Sequence, residues 1–245
     1  LLARTLAVTS GKGGTGKSTV AALLGRALAA RGLSVLLLEF DSGLRGLDLM
    51  LGVSDRVVYD LGDVLEGRCR PGKAIVEVGS DAGHLHLAAA STDRHYLPNR
   101  ENLSRLLRSL QNCYDYLIID AAAGLGEDFE IAKEAADLAL IVVNAEPVSV
   151  RDGAKASALL DGKPMRLVIN RFSRRQLSDD IPDLDRVIDL VGAQLISVIP
   201  DDPLIPKALG AGGEPGGDSP AFAEIKDLAG RLLGESIRLC TERLK

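Results

Sequence analysis

Two lysines and a serine set among glycines make the most chemically pointed segment of this chain, Gly11-Lys12-Gly13-Gly14-Thr15-Gly16-Lys17-Ser18. The spacing fits G-x-x-x-x-G-K-[ST], a loop whose backbone N–H groups wrap phosphate oxygens. Glycine suits such a loop because positive φ and a missing Cβ bring the backbone close to an anion. Lys17 would meet the β- and γ-phosphates as a point charge, and the Ser18 hydroxyl would ligate Mg²⁺. With Thr19, these residues form the candidate nucleotide-binding loop. Two acids could complete the site. Asp120 follows the apolar run Tyr116-Leu117-Ile118-Ile119, so its carboxylate falls at a strand end suited to holding Mg²⁺ through water. Asp41 follows a second such run. Capping a helix N-terminus is the alternative role for either acid.

These groups need strands and helices to bring them together. Apolar runs at 6–8, 35–38, 116–119, 140–143, 167–169 and 196–199 are continuous rather than alternating, as in parallel strands covered on both faces. A further strand is expected at 85–89. Helical spacing fills 19–31, 99–111, 129–136 and 151–160. The alternation predicts an α/β fold: one domain over 1–245, a doubly wound, mainly parallel sheet with helices on both faces, of the P-loop NTPase kind. In such sheets ligands bind at the carboxyl ends of the strands, where Asp41 and Asp120 fall. The Gly/Pro-rich stretch 210–220 reads as a surface connection into the last helix.

Composition removes several classes of function. The net charge is -5, which disfavours a general nucleic-acid coat. Aromatic residues make up 3% with no Trp, leaving little material for stacking bases. Cys69, Cys113 and Cys240 are scattered, so they suit a reducing cytoplasm and offer no metal or cluster pair. His84 and His86 sit two apart, on the polar face of the expected strand, with no third metal ligand evident nearby. No apolar run approaches the ~20 residues of a membrane-spanning helix, and the N-terminus lacks the layout of a signal peptide.

The early lysine adds a likeness. Lys12-Gly13-Gly14-Thr15-Gly16-Lys17-Ser18 resembles the deviant Walker A motif of the MinD/ParA family of ATPases. Phe40-Asp41-Ser42-Gly43-Leu44-Arg45-Gly46-Leu47-Asp48 resembles that family's switch I segment. Residues 59–69, Asp120 with Ala123-Gly124, Val148 to Asp152, Asn170-Arg171 and Val198-Ile199-Pro200-Asp201-Asp202 extend it, several of them resembling the bacterial MinD branch. The matches reach from the first strand to about Leu233.

The resemblance implies ATP with Mg²⁺ as ligands. It implies that Lys12 crosses a homodimer interface to the other subunit's nucleotide, so that hydrolysis needs an ATP-dependent dimer. Asp41 is implied to position the attacking water and to share Mg²⁺ with Ser18 and Asp120. Asn170 and Pro200 are the implied adenine contacts, since an amide and a carbonyl suit the base edge, with Arg171 and Asp201 beside them. The implied biology is a switch that positions the division site. It would be cytoplasmic, peripheral on the inner face of the cell membrane when ATP-bound, and would recruit a division inhibitor. A protein that stimulates hydrolysis is implied to dock near Asp152. A ParA-type DNA partition ATPase and a flagellar-placement ATPase stay open as alternatives, the first disfavoured by the acidic balance.

Three departures stand out. Glu39 occupies a position usually held by Asp, and Ala121-Ala122 replace a Ser-Pro or Thr-Pro pair. Losing the proline implies a less ordered switch II and a weaker dimer. At the other end, Phe222, Ile225, Ala229, Leu232, Leu233, Ile237, Cys240 and Leu244 fall on one helical face. Residues 234–245 read either as a short amphipathic anchor for an anionic membrane surface or as part of a packed last helix.

Overall fold

Each apolar run read as a strand is one. The computed structural model describes residues 4–42, 45–79 and 83–244; Gly43 and Leu44 of the expected switch I segment, and Lys245, lie outside them. The strands are β1 (Arg4–Thr9), β2 (Ser34–Glu39), β3 (Ile75–Val78), β4 (His84–Ala88), β5 (Tyr116–Asp120), β6 (Leu138–Val143), β7 (Met165–Phe172) and β8 (Leu195–Pro200). They form one eight-stranded sheet in the order β3-β4-β2-β5-β1-β6-β7-β8. Every pair is parallel except β3 with β4. β3 has no counterpart among the expected strands, because four half-exposed residues on a sheet edge carry little apolar signal.

The helices are α1 (Lys17–Ala29), α2 (Leu47–Met50), α3 (Leu61–Leu65), α4 (Pro71–Ala74), α5 (Arg100–Leu110), α6 (Glu127–Ala135), α7 (Pro147–Leu159), α8 (Leu184–Val191), α9 (Leu204–Gly210) and α10 (Pro220–Leu232). Successive strand residues serve opposite layers. Val35 and Leu37 join the core under α1 and α10, whereas Leu36 and Leu38 join the core under α5 and α6. A third apolar cluster fills the space between β6, β7, α7 and α8. The order reverses on either side of β1, so the β1–α1 turn opens into the crevice where open α/β sheets bind ligands.

The two histidines share a face of β4, with rings stacked 6.2 Å apart and His86 edge-on to Tyr114. Among the described residues no cluster of acids, cysteines and histidines could hold a metal as a ready-made cage. The stretch 210–220 is more than a surface connection. Gly52 and Gly212 both have positive φ, and a Cβ on Gly212 would sit 2.5 Å from the Gly52 Cα, so the turn after α2 lies directly against the loop before α10. The apolar face expected through Leu244 is not one helix: α10 ends at Leu232, Gly234 turns the chain at φ 90°, and residues after it fold back on the sheet edge. None of the described helices is long and apolar enough to cross a membrane.

Candidate active site

The phosphate loop joins β1 to α1 and is shaped by contacts that only glycine permits. A Cβ on Gly11 would lie 2.1 Å from the Asp152 carbonyl oxygen, so α7 presses on the loop at that point. Gly16 has φ 89°, and a Cβ there would meet the Asn170 amide nitrogen at 2.3 Å. That amide donates to the Thr15 carbonyl at 2.8 Å, and the Asn144 amide donates to the Asn170 carbonyl at 2.9 Å. The ends of β6 and β7 therefore brace the loop. Ser10 supports it from its own start, donating to the Lys12 carbonyl at 2.6 Å.

The two lysines point to different places. Lys17 is 6% exposed and its charge bears on both Asp41 and Asp120. Lys12 lies at the surface, its Nζ 3.9 Å from the Glu146 carboxylate just before α7.

Asp120 is fully buried, yet neither of its oxygens has a hydrogen bond of acceptable geometry. Burial pushes its carboxyl up to about 7; the nearby Ser18 hydroxyl and Lys17 pull it down, while Glu39 and Asp41 add to the rise. Asp41 is raised by partial burial and held back by Lys17. A buried carboxylate without partners is costly unless a cation meets it. Ser18, Asp41 and Asp120 therefore fit a hard divalent cation such as Mg²⁺, held through oxygen. Sequence reasoning missed Asp128, in the first turn of α6. One of its oxygens is buried without a partner, and its carboxyl is raised by partial burial, then by Asp41 and Glu127.

Glu39 has a structural task. Its Oε1 accepts from the Gly46 and Leu47 N–H groups at 2.7 and 2.9 Å, and its Oε2 from Ala90 N–H at 3.1 Å. It caps α2 and ties switch I to the end of β4. Burial raises its carboxyl, the three backbone donors oppose that, and Asp48 adds to the rise. In switch II the Ala121 N–H bonds to the Val8 carbonyl at 3.1 Å, whereas no described residue accepts from the Ala122 N–H.

Beside the loop lies a cleft of about 1000 Å³ lined by Gly16, Thr19, Asn170, Arg171, Pro200 and Asp201, with Leu49, Met50, Ile205 and Leu209 as apolar walls. The structure brings the expected base-contacting residues together here. Arg171 is the one non-glycine residue with positive φ (53°) among the described residues, and its Nε stands 3.8 Å from Asp201 at the rim. The floor depends on Asp202, the last residue of the Val198-Ile199-Pro200-Asp201-Asp202 match, for which the sequence implied no role. It accepts from Ser219 Oγ at 2.6 Å and from the Leu204 N–H at 2.9 Å, which joins the start of α9 to that of α10. Asn144 was detectable in principle, since it ends β6 as Asn170 ends the regular pairing of β7.

The chain matches the CobQ/CobB/MinD/ParA nucleotide binding domain over residues 6–215. It is 36% identical to the septum site-determining protein MinD of Bacillus subtilis, covering 96% of this chain and 90% of that protein. Among solved structures it resembles the MinC:MinD cell division protein complex of Aquifex aeolicus, with TM-score 0.87, 37% identity, and 97% and 98% of the two chains covered. It also resembles MinD complexed with Mg-ADP from Pyrococcus horikoshii, with TM-score 0.83, 28% identity, and 96% and 100% covered. The McdA–ATP complex of Cyanothece, at 19% identity and TM-score 0.80, shares the fold. A loop braced for phosphates, a buried acid awaiting a cation and nearly full-length identity converge: this chain belongs to the MinD/ParA family of nucleotide-binding ATPases, with ATP and Mg²⁺ as its ligands.

Proposed function

We propose that the chain is a division-site-placing ATPase that works as an ATP-dependent homodimer, recruits a division inhibitor and associates reversibly with an anionic membrane surface. The carrying observation is the division of labour between the lysines. Lys17 sits buried beside the acids, while Lys12 is 31% exposed and paired only loosely with Glu146. An exposed ion pair of that length is worth about 0–1 kcal/mol. Lys12 can therefore exchange Glu146 for the phosphates of a second subunit, where it would neutralise charge that builds on the transferred group. Ser18, Asp41 and Asp120 would hold Mg²⁺, which would supply neutralisation of the phosphate charge. Asp41, half-buried and within the influence of Lys17, would orient the attacking water and accept a hydrogen bond from it. Partial sequestration of Glu39 in its three backbone bonds leaves Asp41 as the acid free to do so.

The inhibitor and membrane steps draw on the MinC:MinD likeness and on the basic, apolar tail. Co-sedimentation with anionic vesicles under ATP, ADP and in Lys12→Ala tests the reading. Capture is expected with ATP alone and lost in the variant, together with the dimer seen by sedimentation velocity. A Lys12→Ala chain that still dimerises and hydrolyses ATP normally would overturn the role in trans. Vesicle capture independent of nucleotide would overturn the coupling of dimer to membrane.

A further inference from the structure

Helix α2 is anchored at both ends and bare between them. At its start Glu39 holds the Gly46 and Leu47 N–H groups. Past its end, Leu51 and Val53 enter the core under α1. The turn between those two abuts Gly212: a Cβ on Gly52 would lie 2.9 Å from the Gly212 carbonyl oxygen, to which Arg26 of α1 donates at 3.1 Å. Leu47 and Asp48 are buried, but Leu49 is 65% exposed. With Gly46 and Met50 it lines the same cleft as Asn170, Pro200 and Asp201. So much apolar area left in water is a loss that a flat apolar ring in the cleft would remove. A short run of bonds leads from this wall to Asp41. The Leu49 N–H donates to Asp48 Oδ1 at 2.8 Å. Asp48 Oδ2 accepts from the Arg45 guanidinium, from Nε at 2.7 Å and with Nη2 at 2.6 Å. The Arg45 N–H in turn donates to the Asp41 carbonyl at 3.2 Å. Asp48 is 4% exposed, so pulling Arg45 away from it would strand a buried charge.

We propose, on the ATPase reading above, that Leu49 is a base-sensing positioning residue: it packs on the purine of the bound nucleotide, and through Asp48 and Arg45 that contact fixes the backbone carrying Asp41. The cleft, at about 1000 Å³, is at the upper end of small-ligand pockets, so a purine alone does not fill it and one wall must come in. Asn170 and Pro200 belong to strands of the sheet, whereas α2 is four residues long with its two anchors as pivots. It is the wall able to close. The phosphate loop holds a triphosphate whatever base it carries, but Asp41 is held in place only when a base lies under Leu49. Base recognition therefore enters kcat as well as affinity.

Leu49→Ala removes the wall side chain at an exposed position, where the fold does not depend on it, and Leu49→Met restores its bulk. Hydrogen exchange at the Arg45 N–H and across 46–53 is read on the full chain with saturating ATP or inorganic triphosphate, Mg²⁺ present in both. Calorimetric affinity and steady-state hydrolysis accompany it. In the parent chain ATP should slow exchange about tenfold more than triphosphate does. In Leu49→Ala that difference should vanish, ATP should bind about five- to tenfold more weakly and its kcat should fall about tenfold. Triphosphate affinity should change by less than about twofold, and Leu49→Met should behave as the parent. An equal loss of affinity for both ligands would overturn the base contact, because Leu49 would then serve the phosphate site. Lost ATP affinity with Arg45 exchange and kcat unchanged would overturn the relay to Asp41. Exchange and affinity are read without turnover, so a parent chain that binds ATP yet hydrolyses none would overturn the ATPase reading while those two still decide the contact and the relay.

Discussion

The phosphate loop with its acids, and the cleft beside it that is proposed as the base end, are built on opposite principles. At the phosphate end charge is left poorly matched: buried Asp120 has no well-formed hydrogen bond, only the nearby Ser18 hydroxyl and Lys17, and Lys17 faces a group of acids. At the base end they are already paired. Asn170 donates to Thr15, Asp202 is bonded to Ser219 and Leu204, and Arg171 stands beside Asp201. The walls there are apolar. One end is an electrostatic device whose energy is realised when ligand and cation arrive; the other is a shaped surface complete on its own.

The contrast predicts unequal sensitivity. Lys17→Ala should lower ATP hydrolysis by about 1000-fold or more, because it removes the buried cation facing the phosphates. Arg171→Ala, at the exposed rim, should change it by about fivefold at most, the scale of a surface ion pair. Steady-state hydrolysis on the two variants checks both. A comparable loss in each would show that the base end also carries transition-state charge.

The buried acid gives the next effect, and its sign follows from linkage. Asp120 titrates at about 7 in the folded chain against 3.8 as the ordinary value. Between those pH values the folded chain holds a proton that the unfolded chain has lost, so stability falls as pH rises through that window. Asp120→Asn should therefore stabilise the ligand-free protein above pH 7, by on the order of 4 kcal/mol at most, with the gain vanishing towards pH 4. Denaturant unfolding at several pH values measures it. Mg²⁺ should erase the difference by stabilising the parent chain when nucleotide is present. A variant less stable than the parent at pH 8 would mean that Asp120 is already satisfied without a cation.

The same contrast explains which features were legible in the sequence. The phosphate end is written locally: Gly11 to Ser18 is contiguous, and Asp41 and Asp120 each close an apolar strand. Fully buried strands give continuous runs, so β1, β2 and β5 to β8 could be read directly. The rest depends on contacts between distant residues. Glu39 caps a helix seven and eight residues on, and Asn144 braces Asn170 across the sheet. β3 is short and half-exposed, which leaves no period to detect. In the tail, apolar spacing suited one helix through Leu244, but Gly234 at φ 90° stops it and Arg231 stabilises the fold-back. Spacing records which residues want burial, not whether the chain reaches it by continuing or by turning round.

Asn170 stands where the two ends meet, and it gives the sharpest test. The family resemblance assigns it to adenine, whereas its amide nitrogen is committed to the Thr15 carbonyl and its backbone carbonyl to Asn144. Both Asn170 and Thr15 are buried, so Asn170→Ala leaves the Thr15 carbonyl without its partner at a cost of about 1–3 kcal/mol. That cost falls on the shape of the phosphate loop. Nucleotide affinity should drop about 5- to 100-fold, and inorganic triphosphate, which has no base, should weaken by the same factor. Calorimetric titration with ATP, GTP and triphosphate separates the roles. Loss confined to ATP would place Asn170 with the base-recognising surface. Equal loss for all three ligands would make it the brace through which the base end holds the phosphate loop in form, so that filling the cleft and ordering the loop become one event.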